Sequence, residues 1–80
     1  YMGSLDTFLE HFEEAIEDLT PGSITGATQY MELEAWDSLA LLTTISMLDA
    51  EYGVHLSATK LKALPSLKCL YEYVVKEVNK

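Results

Sequence analysis

The first half of this chain has no positively charged side chain. Residues 1 to 40 contain neither lysine nor arginine but carry nine carboxylates: Asp6, Glu10, Glu13, Glu14, Glu17, Asp18, Glu32, Glu34 and Asp37. The remaining four acids and all five lysines lie in residues 41 to 80, which sum to +1, so the formal charge of -8 belongs to the first half. Binding a phosphate backbone requires cations, and an anionic half of this kind repels nucleic acid and an anionic membrane leaflet alike. Neither is expected as a partner, whereas a basic protein surface fits.

Cysteine is equally scarce. A single Cys69 cannot form an internal disulfide, and His11, His55 and Cys69 are too few and too scattered for a structural zinc site. No intrinsic cofactor pocket is legible. No apolar run approaches membrane-span length, and the N-terminus lacks the basic and apolar segments of a signal peptide, so a cytoplasmic protein is expected. Tyr1 ahead of Met2 is an unusual start. Residues 1-3 read as a tag or disordered start, and residues 4-79 as the domain.

Proline (2) and glycine (4) are few, while 49% of the 80 residues are hydrophobic, a composition that favours a compact fold over disorder. A chain this short buries only roughly 60-65% of its unfolded surface. That leaves little room for an internal active site.

The apolar spacing is helical. Leu5, Phe8, Leu9, Phe12, Ala15, Ile16 and Leu19 recur every three or four residues and predict a helix over 5-19, with Ser4 or Asp6 as its cap and Pro21-Gly22 as its stop. Its acids read either as a solvated face or as a docking surface for a partner, and His11 reads as an exposed spacer. Residues 20-36 lack a period and form a long connection, tethered by Ile24, Tyr30, Met31 and Leu33, with room for a short helical turn. A second helix is predicted over 38-51, with Leu39, Leu42, Ile45, Leu48 and Tyr52 as its buried seam and Gly53 as its stop. Leu41 and Met47 fall off that seam and are either satellite core contacts or a patch for a partner.

Val54-His55-Leu56 reads as an extended link, with His55 at the surface. Ser57 caps a short helix over 58-63, ended by Pro65. Ser66 opens the last helix, over 66-78, where Leu67, Leu70, Tyr71, Val74 and Val78 share a face and Lys76 and Lys80 suit the negative end of the dipole. The expected fold is all-α: a four-helix bundle of three long helices and one short helix.

The segment Glu34-Ala35-Trp36-Asp37-Ser38-Leu39-Ala40 holds the chemistry. Asp37 is placed to cap the second helix and Ser38 then takes its first position, where an attached phosphate would meet unsatisfied helix N-H groups and the positive end of the dipole. Ser and Asp are also ordinary caps, and Trp36 has a plain role in closing the core. No nucleophilic triad is legible, and Glu32 and Glu34, two apart on a loop, have no fixed separation for paired acid-base chemistry.

In order and spacing the chain resembles the acyl carrier proteins and the related peptidyl carrier domains, over roughly residues 4 to 79. An acidic first helix and a long loop lead to Trp36-Asp37-Ser38-Leu39. An apolar helix ending in Asp49-Ala50-Glu51-Tyr52-Gly53-Val54 follows, then a Leu56-Ser57 turn, a short helix and a final helix. The resemblance implies an acyl-carrier-like bundle in which Ser38 receives 4'-phosphopantetheine from coenzyme A through a separate holo-synthase, a phosphopantetheinyl transferase. Trp36, Asp37 and Leu39 would surround the attachment point, and the arm's thiol, not Cys69, would hold an acyl or aminoacyl group as a thioester. Such a protein is no enzyme itself; as a monomer it serves loading and processing enzymes. Many fatty-acid carriers have Gly where Trp36 stands and a more acidic second helix. The departure points to a specialised pathway, with Leu41, Met47, Asp49 and Glu51 as partner-binding residues. An aminoacyl or peptidyl carrier and an unmodified carrier-like interaction protein are the alternatives.

Overall fold

The computed structural model describes residues 4-79; the expectation for residues 1-3 falls outside them. Four α-helices are present among the described residues: α1 (Leu5–Ala15), α2 (Ser38–Tyr52), α3 (Ala58–Lys62) and α4 (Leu67–Val78), with a single 3-10 turn at Tyr30–Glu32 in the long connection. The three longer helices pack against one another. Their shared core contains Phe8, Phe12, Leu48, Leu67, Leu70 and Val74, all wholly buried. The all-α bundle of three long helices and one short helix is therefore observed.

Each helix start follows from a capping side chain. The hydroxyls of Ser4, Ser57 and Ser66 accept from the backbone N-H groups of Thr7, Lys60 and Cys69. These oxygens satisfy donors that have no partner within the helix. At the other end of α2, Gly53 adopts φ +67°, a left-handed conformation that costs glycine little, and its N-H returns to the Asp49 carbonyl at 2.9 Å. The chain then leaves extended, with Val54 and Leu56 buried and His55 exposed between them.

Helix α1 stops at Ala15, four residues before the predicted end. Its stripe of Phe8, Phe12 and Ile16 is buried as expected, but Ile16 is already extended (φ -118°, ψ 108°) and Leu19 is reached through turns. The acids account for this. Glu10 and Glu14 are already a like-charge i,i+4 pair within α1, a continued helix would add Glu13 with Glu17 and Glu14 with Asp18, and no basic residue in the last turn offsets these charges at the negative end of the dipole. Glu13 instead accepts a hydrogen bond from the Gly22 N-H, closing the corner that Pro21-Gly22 makes.

The long connection is held by its apolar residues, as expected of Ile24, Tyr30, Met31 and Leu33: Ile24 and Tyr30 are buried and Met31 and Leu33 pack against the core. Tyr30 is wholly buried, and its hydroxyl donates to the Leu61 carbonyl at 3.0 Å and lies within reach of the Leu64 carbonyl. One phenol thus fastens the loop to α3. Further along, the carbonyls of Thr28 and Gly26 accept from the Leu67 and Lys68 N-H groups at 3.0 and 2.8 Å, so the loop also caps α4. Gly26 lies close to its neighbours there; a Cβ would come within 3.2 Å of Leu5 Cδ2.

The buried seam of α2 is not the expected one. Leu39 and Leu42 are exposed (62% and 60%), whereas Ala40, Thr44 and Leu48 form the buried row; Ile45 and Tyr52 are half-buried. Apolar residues surround this helix on nearly every side, so periodicity alone does not select an inward face. The chosen row includes a polar group. Thr44 is completely buried and its Oγ1 has no hydrogen-bond partner, an arrangement that costs about 1-3 kcal/mol relative to a satisfied group.

Burial raises the pKa of Tyr30 well above the usual tyrosine range; that of Tyr52 is pushed up to about 12, by burial first and then by Glu51 and Tyr71. In the unfolded chain both phenols lose their protons near pH 10. Because the folded values are the higher ones, their contribution to stability is complete below pH 10 and is lost as the pH rises towards 12 and beyond. An absorbance titration of tyrosinate should show Tyr30 and Tyr52 resisting ionisation until the helical signal collapses. Ionisation of all 5 tyrosines near pH 10 with the helices intact would contradict this packing.

Candidate functional site

The junction between the long connection and α2 is built on an aromatic cluster. Trp36 lies nearly parallel to Phe12 (centroids 6.4 Å apart, 9° between planes) and edge-on to Tyr30 (5.2 Å, 74°), while Phe12 and Tyr30 meet edge-to-face at 5.6 Å. Such pairs add to ordinary burial and fix ring orientation. The backbone N-H of Trp36 also donates to the Leu33 carbonyl at 3.0 Å. Trp36 therefore closes the core, and in doing so delivers the next three residues to the surface.

Asp37 is the N-cap of α2. Its carboxylate accepts from the Ala40 N-H at 2.8 Å and its carbonyl accepts from the Leu41 N-H at 3.0 Å. Ser38 follows as the first helical residue, with Leu39 behind it, and all three are exposed. Neither the Ser38 hydroxyl nor the N-H groups of Ser38 and Leu39 have a hydrogen-bond partner among the described residues. Open N-H groups also begin α1 and α3, so a free helix start does not single out α2. Its distinction lies in the first helical position, which is Leu5, Ala58 and Leu67 in the other helices and a serine here.

Leu42 is one turn along from Ser38, and with Leu39 it makes an apolar patch beside the hydroxyl. These two are the large hydrophobic side chains left exposed among the described residues. The helical spacing predicts both to be buried. The apolar spacing puts Leu41 and Met47 off the seam instead, whereas in the structure these two are half-buried against the core. Asp49 and Glu51 are exposed but distant: at 1.5 Å per residue, Asp49 is about 16 Å along the helix from Ser38. The structure thus brings Trp36, Asp37, Ser38, Leu39 and Leu42 together and leaves Asp49 and Glu51 at the opposite end.

That far end has its own contacts. His11 is not the exposed spacer expected from its place off the apolar stripe. It is half-buried, with Nδ1 hydrogen-bonded to the Tyr52 hydroxyl at 2.7 Å and Nε2 3.5 Å from the Glu51 carboxylate, and so links α1 to the end of α2. The stripe rule missed it because His11 contacts a neighbouring helix through ring nitrogens. His55, at the surface as expected, faces Asp49 at 3.2 Å. No group of three or more His, Cys, Asp or Glu side chains among the described residues could hold a metal ion, and no helix is long and apolar enough to cross a membrane. Cys69 is a free thiol, half-buried on α4.

No protein-family model, curated protein or solved structure matches this chain. The established description is a small all-α, four-helix domain with an exposed serine at the start of its longest helix.

The Asp37 cap sets where α2 begins. Asp37→Ala should cost about 1 kcal/mol, within the usual 0.5-2 kcal/mol for losing a cap, and fray the turn carrying Ser38. Denaturant unfolding together with amide exchange at Ala40 and Leu41 measures both effects; an unchanged midpoint and unchanged protection would show that the cap carries no weight.

Proposed function

We propose that this chain is an acyl carrier protein of a specialised biosynthetic pathway. Ser38 would take 4'-phosphopantetheine from coenzyme A with the help of a phosphopantetheinyl transferase, and the loaded domain would then visit loading and processing enzymes. The observation that carries the reading is Ser38 itself: an exposed hydroxyl without a partner at the first position of α2, inside Trp36-Asp37-Ser38-Leu39. In the attachment step the Ser38 oxygen displaces adenosine 3',5'-bisphosphate from coenzyme A, forming a phosphodiester as its proton passes to the transferase. The open N-H groups of Ser38 and Leu39 and the helix dipole suit a phosphodiester at that point.

When bound, the arm supplies a thiol that holds the cargo as a thioester. The chain's own contribution is placement. Asp37 fixes the helix start, Trp36 anchors the loop before it, and Leu39 and Leu42 offer an apolar patch beside the tether. A tethered cargo reaches successive partners at high local concentration, and weak, charge-assisted contacts keep exchange fast. On this reading the domain is no enzyme, acts as a cytoplasmic monomer, and meets basic partner surfaces through its acidic face. Aminoacyl or peptidyl cargo would use the same attachment.

A second reading, an unmodified interaction domain, draws on the same exposed Leu39 and Leu42, because neighbouring exposed apolar residues also mark plain docking sites. Incubation with coenzyme A and a broad-specificity transferase separates the two. Mass mapping should place one arm on the Ser38 peptide and none on Ser38→Ala, which should keep its helical spectrum. An unmodified wild type, or an arm on Ser23, Ser46, Ser57 or Ser66, would refute the carrier reading.

Partner recognition is proposed along α2, with Leu39 and Leu42 nearest the arm, Leu41 and Met47 through their half-exposed sides, and Asp49 and Glu51 at the far end. Leu42→Ala should slow transfer from a cognate enzyme more than neutralising Asp49 and Glu51 together, by roughly tenfold or more if Leu42 is an interface anchor. Transfer rates at fixed loaded-carrier concentration check this; the reverse order would make recognition acid-led.

A further inference from the structure

The surface between α1 and α2 holds a groove that neither the core nor the Ser38 junction employs. It encloses about 290 Å³, room for one long side chain, and is walled by Ala15 of α1 and by Thr43, Ser46, Met47 and Ala50 of α2. Ser46 and Ala50 are exposed, and the other three are half-buried. On α2 the exposed side forms a straight row. Leu39, Thr43, Ser46 and Ala50 stand at i, i+4, i+7 and i+11, a spacing that keeps to one face of a helix, so the row begins beside Ser38 and runs about 16 Å along the axis. Beyond Leu39 its side chains are small, which lets the backbone of another helix approach closely.

Two carboxylates close the groove, Glu14 from α1 and Glu51 from α2, both exposed. Neither has a lysine partner among the described residues, and no lysine or arginine occurs in the chain before Lys60. His11 completes the lining with both ring nitrogens engaged, Nδ1 with the Tyr52 hydroxyl at 2.7 Å and Nε2 towards Glu51 at 3.5 Å. It steadies Glu51 at the rim. A small apolar floor between two carboxylates matches one side chain in particular. Arginine lays an aliphatic stem on apolar surface and presents a planar fork to carboxylate oxygens, where lysine brings a more strongly hydrated point charge. An acidic ligand would be repelled, and an uncharged one would desolvate the carboxylates without pairing them.

We propose that the α1-α2 groove is a docking site for a helix of a partner protein, seated along the small row with one arginine laid over Met47 and Ala50 towards Glu14 and Glu51. The contact adds α1 to the recognition surface. It requires neither the arm on Ser38 nor Leu42, so it holds for the carrier and for the unmodified interaction domain alike.

The probe is an acetylated and amidated helical peptide of alanine and glutamine, about 15 residues long, with one central arginine, compared with its twin carrying citrulline, which keeps the shape and removes the charge. Each is titrated into the unmodified full chain while backbone amide shifts are followed. The arginine peptide should move the amides of residues 11-15 and 43-51 and bind about fivefold or more tightly than the citrulline twin. Glu14→Gln combined with Glu51→Gln should erase that difference. Ser46→Trp, which fills the groove from an exposed position, should abolish binding with its helical spectrum intact, whereas Leu42→Ala should leave binding unchanged. Equal binding of the two peptides, binding that survives Ser46→Trp, shifts centred on Glu10 and Glu17 or on Leu42, or no shifts at all would overturn the inference. None of these results touches the carrier reading, which stands or falls on the arm at Ser38.

Discussion

The arrangement depends on burying Tyr30 with its hydroxyl satisfied. A long connection whose regular structure amounts to one 3-10 turn gains little from the core unless something commits it there. Tyr30 does so by filling the space beside Phe12 and Trp36 while its oxygen reaches the Leu61 and Leu64 carbonyls of α3 and the turn beyond. The loop, the short helix and the approach to α2 are consequently fixed together. A five-residue helix such as α3 is far below the length at which helices persist alone, so its position derives from this anchor and from buried Leu61.

The same cluster sets the geometry of the Ser38 junction. Trp36 is held on one side by Phe12 and Tyr30, Asp37 is held by its hydrogen bond to Ala40, and the residue between the cap and the helix body is left facing solvent. An exposed, unpartnered hydroxyl on a rigid helix start is accessible to a modifying enzyme without local unfolding. The acidic character of α1 limits that helix to Ala15, and the long connection begins where its charge makes another turn unfavourable.

Much of the fold was legible in the sequence because α1 and α4 are strongly amphipathic and each helix start carries a capping side chain. The Ser38 junction was legible for the same reason: Asp37 and Ser38 precede an apolar run. The inward face of α2 was not. With Leu39, Leu41, Leu42, Ile45, Met47 and Leu48 spread around the helix, the choice of buried row is made by packing against the other helices, which places Thr44 inside and Leu39 and Leu42 outside. His11 escaped notice because its partners, Tyr52 and Glu51, are some forty residues away in the chain. The early end of α1 depends on charge crowding at a helix terminus, which a hydrophobic stripe does not record.

The central claim is that Ser38 carries a prosthetic arm in the living cell. The most direct measurement is mass spectrometry of the chain recovered from its own source under conditions that preserve thioesters, with fragmentation of the peptide containing Ser38. The carrier account predicts a population bearing 4'-phosphopantetheine on Ser38, part of it extended by an acyl or related cargo. A Ser38 peptide that is unmodified throughout, from cells in which other carriers are loaded, would contradict it.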